Sequence, residues 1–152
     1  MPEANLRGKM ELATRHNVHE KAMQETILIA DDDAEIRDVL RCTLERAGYI
    51  AIAAADGGEA LSALREMQFE LLITDLQMPE CDGLELLDAL RYRQIAPKVI
   101  AMSGAWDGVC LPAASKLGAL AAIHKPWRTQ DLLNIVRAVL DGEPAPSPAT
   151  LN

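Results

Sequence analysis

Five short apolar runs, TILIAD (26–31), YIAIAAA (49–55), ELLITD (70–75), KVIAMS (98–103) and LAAIHK (120–125), are separated by stretches of helical spacing. No other feature constrains the fold as tightly. Runs of strand length without polar alternation belong to strands buried on both faces. Between and after them lie DAEIRDVLRCTLERAG, GGEALSALREMQ, GLELLDALRYRQ, a Gly- and Pro-interrupted piece, and RTQDLLNIVRAVLDG. In the first helical stretch Ile36, Val39, Leu40 and Leu44 recur at spacings of three to four and predict one buried stripe. Gly48 stands where a C-terminal cap belongs. In the last stretch the stripe is Leu132, Leu133, Ile135, Val136, Val139 and Leu140. Apolar strands alternating with one-sided helices predict an α/β parallel sheet covered on both faces.

Five such units match the count of the flavodoxin-like doubly wound fold, and the crossover rules favour its strand order 2-1-3-4-5. The chain of 152 residues fits one domain, expected over residues 25–142. Residues 1–24 are polar and weakly periodic, read as a loose arm or a marginal helix, and Met23 is a natural start for the domain. The Pro-rich residues 143–152 are expected to be disordered. Aromatic residues are only 3% of the chain, so the core must be aliphatic and alanine-rich. A net charge of −8 argues against direct nucleic-acid binding, which needs clustered Lys and Arg. No apolar stretch is long enough for membrane insertion, and the N-terminus has no signal-peptide h-region. Cys42, Cys81 and Cys110 form neither an even disulfide set nor a metal pattern. The expected compartment is cytoplasmic.

In a doubly wound sheet, ligands bind beyond the carboxyl ends of the strands. Those ends carry Asp31 and Asp32 after strand 1, Asp75 after strand 3, Ser103 after strand 4 and Lys125 after strand 5. Strand 2 lies at the edge and contributes only Asp56. Three adjacent acids, Asp31 to Asp33, following an apolar run repel one another unless they point into water or something positive sits among them. Carboxylates from two strands, a backbone carbonyl and waters suit Mg²⁺, with Mn²⁺ as a substitute. One carboxylate of such a set can act as a nucleophile and form an aspartyl phosphate. The metal and Lys125 would then face the phosphoryl oxygens, with Ser103 as a hydrogen-bond donor.

The motifs ILIADD, LLITDLQMPECDG, VIAMSG and HKPW, in this order and each at a strand end, resemble the receiver domain of bacterial response regulators over residues 25 to about 142. The resemblance implies that Asp75 accepts a phosphoryl group. It implies that Asp32 and Asp75 bind Mg²⁺ through their side chains, with the backbone carbonyl of Gln77, and that Asp31 acts through a metal-bound water. Ser103 would be the switch hydroxyl and Lys125 the phosphate-pairing cation. Pro79 and Gly83 would shape the loop after the nucleophile, and the Lys125–Pro126 bond would be cis. The implied partners are a sensor histidine kinase or histidine phosphotransfer protein and an unknown downstream protein. As no output domain follows in this sequence, the expectation is that the signal passes by protein–protein contact or that the protein relays or drains phosphate.

Other residues have plainer readings. Asp33 directly precedes a helix and is expected to cap it rather than bind metal. His124 should face away from Lys125, His16 and His19 lie in the polar arm, and Trp127 should pack under the last helix. Cys81 is read as a small loop side chain, and Trp106 lies at a loop position. The chain departs from the family at Ala122, where many receivers carry Tyr or Phe. Gly108 and Pro112 predict a late start of the fourth helix, near Leu111. Two rival functions follow. An aspartyl-phosphate phosphatase of the haloacid dehalogenase type would need an acid two residues after Asp75, where Gln77 cannot exchange a proton. A phosphorylation-independent module of the same fold is consistent with Ala122 but not with the complete acidic, hydroxyl and lysine set.

Overall fold

The structure is a computed structural model and describes residues 25–78, 83–93, 96–104 and 110–146. Along the chain come β1 (Thr26–Ala30), α1 (Ala34–Arg46), β2 (Ile50–Ala54), α2 (Gly57–Glu66) and β3 (Leu71–Asp75). They are followed by α3 (Gly83–Arg91), β4 (Lys98–Ser103), α4 (Cys110–Lys116), β5 (Ala121–His124) and α5 (Thr129–Asp141). All strand pairs are parallel. Their order is β2-β1-β3-β4-β5, the arrangement expected from the five repeats.

Strand alternation divides the apolar runs between two cores. Ile27, Ile29, Leu71, Ile73, Ile100, Met102 and Ile123 face α1 and α5, meeting Leu40, Leu44, Leu132, Ile135, Val136 and Val139. Leu28, Ala30, Leu72, Val99 and Ala101 face the other way, toward Ala60 of α2, Leu86, Leu87 and Leu90 of α3 and Ala114 of α4. Leu and Ile side chains without solvent exposure, such as Leu28, Ile73 and Ile100, each contribute about 2 kcal/mol of transfer free energy. Burial of successive residues on both faces is why β1, β3 and β4 lack polar alternation.

The helix ends follow their local chemistry. Asp33 caps α1: its carboxylate accepts from the N–H of Glu35 (2.9 Å) and of Ile36 (3.4 Å). Gly48, at φ 99°, turns the chain out of α1, and the Tyr49 N–H closes the motif on Leu44 O at 3.1 Å. Within the expected stripe of α1, Val39 is 55% exposed, whereas Leu40 and Leu44 are buried and Ile36 is partly buried. The buried line runs at four-residue spacing, and Val39 lies about 100° around the axis from Leu40. In α5, Leu132, Ile135, Val136 and Val139 are buried, while Leu133 and Leu140 pack at the margin.

α4 begins at Cys110, one residue before the expected Leu111, with Pro112 in its first turn. The loop before it, residues 105–109 with Trp106, lies outside the described residues. So do Pro79, Cys81, residues 1–24 with His16 and His19, and residues 147–152. Of the Pro-rich end, Ala145 packs against the α1–α5 core. At the sheet edge opposite the carboxyl ends, Lys98 Nζ donates to Val139 O (3.0 Å) and Leu140 O (3.1 Å), satisfying the last carbonyls of α5. Beside it Arg137 donates to the Tyr49 hydroxyl (3.1 Å) and the Glu25 carboxylate (3.1 Å). These bonds fasten α5 to the starts of β1, β2 and β4.

Candidate functional site

The carboxyl ends of β1, β3, β4 and β5 deliver their polar residues to one place. Asp31, just past β1, is fully buried, and its backbone N–H reaches Ala54 O on β2 at 3.2 Å. One carboxylate oxygen accepts from the Asp33 N–H at 2.9 Å and the other from Lys125 Nζ at 2.8 Å. Asp75, the last residue of β3, is nearly buried. Its Oδ1 accepts from the Gln77 N–H at 2.9 Å and its Oδ2 from Lys125 Nζ at 2.7 Å. Asp32 is exposed beside them, and one oxygen from each of Asp31, Asp32 and Asp75 lies within 4.8 Å of the others.

Lys125 is placed from β5. Its N–H donates to Ser103 O at 2.8 Å, and its bond to Pro126 is cis. The ammonium lies between Asp31, the buried acid of the run of three, and Asp75, while Asp32 and Asp33 are exposed. Burial drives the Asp31 carboxyl above its usual 3.8, and the Lys125 hydrogen bond only partly offsets this. Burial alone would lower the Lys125 ammonium, but the hydrogen bonds to Asp31 and Asp75 outweigh it and move it above 10.5. Ser103 Oγ is buried with no hydrogen-bond partner among the described residues, an uncommon state for a buried hydroxyl.

Several sequence expectations divide here. Asp31, Asp32, Asp75 and Lys125 come together, with Ser103 on the strand next to β5. Gln77 meets Asp75 through its N–H. Asp33 stays outside the cluster as a helix cap, and Asp56 caps α2 by accepting from the Glu59 N–H at 2.8 Å. His124 is exposed, and Trp127 packs against the α1–α5 core. Gly83 opens α3 directly against the backbone of Asp75. A residue that does not stand at a strand end also reaches the site: Arg37 Nη1 donates to Asp31 O at 2.8 Å. Its signal was its place one helical turn after Asp33, on the turn that faces the strand end.

Asp31, Asp32 and Asp75 form a hard, anionic oxygen set that can hold a metal ion, and their chemistry fits Mg²⁺. Among the described residues no helix is long and apolar enough to cross a membrane.

Residues 27–137 match the family model of the response regulator receiver domain. The DNA-binding response regulator MtrA of Mycolicibacterium paratuberculosis is 32% identical over 81% of this chain and 56% of its own length. The transcriptional regulatory protein FixJ of Bradyrhizobium diazoefficiens is 33% identical over 78% of this chain and 58% of its own. The chain thus spans a little over half the length of these curated relatives. Among solved structures, a CheY-like receiver domain protein from Methanospirillum hungatei superposes with a TM-score of 0.74 at 33% identity, over 78% of this chain and 95% of that one. The chemotaxis protein CheY4 of Vibrio cholerae gives 0.71 at 28% identity, over 76% and 98%. The paired acids after β1, the acid ending β3, the hydroxyl ending β4 and the lysine after β5 thus sit in a matching sequence and a matching fold, and the chain belongs to the response regulator receiver domain family.

Proposed function

We propose that this chain is a phosphoacceptor signalling domain in which Asp75 takes a phosphoryl group from the phosphohistidine of a sensor histidine kinase or phosphotransfer protein, in a Mg²⁺-dependent reaction. The observation that carries this reading is the Lys125 ammonium held at 2.7 Å from Asp75 and 2.8 Å from Asp31. A partly buried lysine between two carboxylates keeps the acids together and presents positive charge where phosphoryl oxygens would arrive. An Asp75 oxygen attacks phosphorus, the P–N bond breaks, and its electron pair stays on the donor imidazole, which leaves neutral when its other nitrogen carries a proton. Lys125 then pairs with the new phosphoryl oxygens, and the Ser103 hydroxyl, which has no partner among the described residues, gains an acceptor.

Asp31, Asp32 and Asp75, with the backbone carbonyl of Gln77, would hold Mg²⁺ or Mn²⁺, which when bound neutralises charge on the phosphoryl oxygens. Asp31 would act through a bound water. The protein takes part in its own phosphorylation and dephosphorylation without turning over a separate substrate. The consequence is a changed docking surface for a downstream protein; the charge of −8 supports a protein rather than a nucleic-acid partner. The setting is cytoplasmic, and residues 25–142 suffice for phosphoryl transfer, so the chain without residues 1–22 remains phosphorylatable.

Incubation with acetyl phosphate and Mg²⁺ tests the reading. The intact mass should rise by one phosphoryl group, and the rise should vanish in Asp75→Asn. No increase in the wild type would favour the second reading, a phosphorylation-independent module, which draws its support from Ala122 in place of an aromatic readout residue.

A further inference from the structure

The acids of the β1–α1 turn need a fixed backbone to converge on one cation, and the turn is held at three points. The Asp31 N–H bonds to Ala54 O at 3.2 Å, and the Asp31 carboxylate accepts from the Asp33 N–H at 2.9 Å. The third hold is Arg37: its Nη1 donates to Asp31 O at 2.8 Å. That carbonyl belongs to the peptide unit joining Asp31 to Asp32. Among the described residues, Arg37 is the group that holds this peptide plane. Its orientation sets ψ of Asp31 and φ of Asp32, and hence the direction in which the exposed Asp32 side chain leaves the chain. A guanidinium–carbonyl bond is charge-assisted, and Arg37 sits on α1, which Asp33 caps and the core packs.

We infer that Arg37 is a positioning residue for the cation site: it locks the Asp31–Asp32 peptide so that both carboxylates point at one ion. The inference rests on the Mg²⁺ site of the proposed function. It makes a prediction of definite sign, because the charge of Arg37 and its hydrogen bond act in opposite directions. As a charge alone, a guanidinium beside the site repels Mg²⁺, and its removal would tighten binding. As an anchor, it lowers the cost of ordering the ligands, and its removal weakens binding. Groups that orient metal ligands from behind typically hold 10–100-fold in affinity, while screening over about 8 Å at physiological salt blunts the repulsion.

The test is Mg²⁺ binding to the full chain, by calorimetry at physiological ionic strength, for wild type, Arg37→Met and Arg37→Lys. Arg37→Met should bind Mg²⁺ about 10-fold more weakly. Arg37→Lys, which keeps the charge and one donor, should fall between Met and wild type. Acetyl phosphate labelling of Arg37→Met should recover the wild-type rate once Mg²⁺ is saturating. Circular dichroism confirms that each variant is folded, and Arg37→Lys carries the test should Arg37→Met fail to fold. Equal or tighter Mg²⁺ binding by the folded variants would overturn the inference. So would a labelling defect that persists at saturating Mg²⁺, which would place Arg37 in contact with the phosphodonor instead. A wild type that binds Mg²⁺ and is labelled, beside variants of unchanged affinity, would sink this inference and leave the proposed function standing. A wild type that does neither would sink both.

Discussion

Replacing Gly83 with alanine tests how tightly the chain behind Asp75 is packed. A Cβ on Gly83 would lie 2.1 Å from Asp75 O, 2.8 Å from Leu76 Cα and 2.9 Å from Asp75 C. Every one of these is a backbone atom, so no side chain can swing aside. The Gly83 φ lies outside the left-handed region, so the residue supplies space here rather than backbone freedom. Restoring an ordinary carbon–oxygen contact of about 3.3 Å needs a displacement of roughly 1 Å, shared between the start of α3 and the end of β3. Overpacking of this kind costs about 1–3 kcal/mol, and the helix propensity of alanine recovers at most about 1 kcal/mol of it. The melting temperature should fall by roughly 2–8 °C. The functional loss should be larger, because Asp75 itself moves: a 1 Å misplacement of a reacting group costs about 100-fold in rate. Thermal melting and the rate of acetyl phosphate labelling, measured on the same preparation, give both numbers. An alanine variant that melts and is labelled like the wild type would refute the packing argument.

Lys125→Met leaves the buried Asp31 carboxylate without its cation and should lower stability by about 3 kcal/mol in denaturant unfolding. Adding Asp31→Asn to that variant should restore most of the loss, and a double-mutant cycle without coupling would contradict the ion pair. Tyr49 is buried, which raises its phenol above 10.0; its contribution to stability is complete below pH 10.0 and is lost as pH rises through the folded-state value. The phenolate absorbance change isolated by difference against Tyr49→Phe should therefore have its midpoint above 10.0. Asp33→Ala removes the cap of α1 and should cost about 1 kcal/mol. Acetyl phosphate labelling of that variant should stay near wild type, because the Asp31 carboxylate accepts from the Asp33 backbone, which alanine retains.

Much of this molecule is legible in one dimension because its three central strands, β1, β3 and β4, are buried on both faces. That burial makes each of them an unbroken apolar run, the edge strands β2 and β5 stay apolar or alanine-rich though partly exposed, and the helices between them carry a single stripe, so the five units and their parallel order can be read in sequence. The chemistry is legible for a related reason. Asp31, Asp32, Asp75, Ser103 and Lys125 each directly end or follow such a run, and the parallel order brings those ends to one rim. Asp33 and Gly48 are equally local, since a cap needs only its own neighbours.

Contacts between elements distant in the chain are another matter. Nothing in the spacing of Lys125 and Asp31, 94 residues apart, shows that the ammonium is shared with Asp75 rather than turned to solvent. The reach of Arg37 back to Asp31 O and the bond from Arg137 on α5 to Glu25 before β1 depend on how helices seat on the sheet. So does the exposure of Val39, which satisfies the helical period but points past the core. The sequence alone determined which residues are apolar, where the elements begin, and which polar groups stand at the strand ends, because these depend on local period and local hydrogen bonding. Tertiary packing alone sets Lys125 between two carboxylates, leaves Gly83 no room for a methyl group and, among the described residues, gives Ser103 Oγ no partner, because each of these depends on distances between atoms of separate elements.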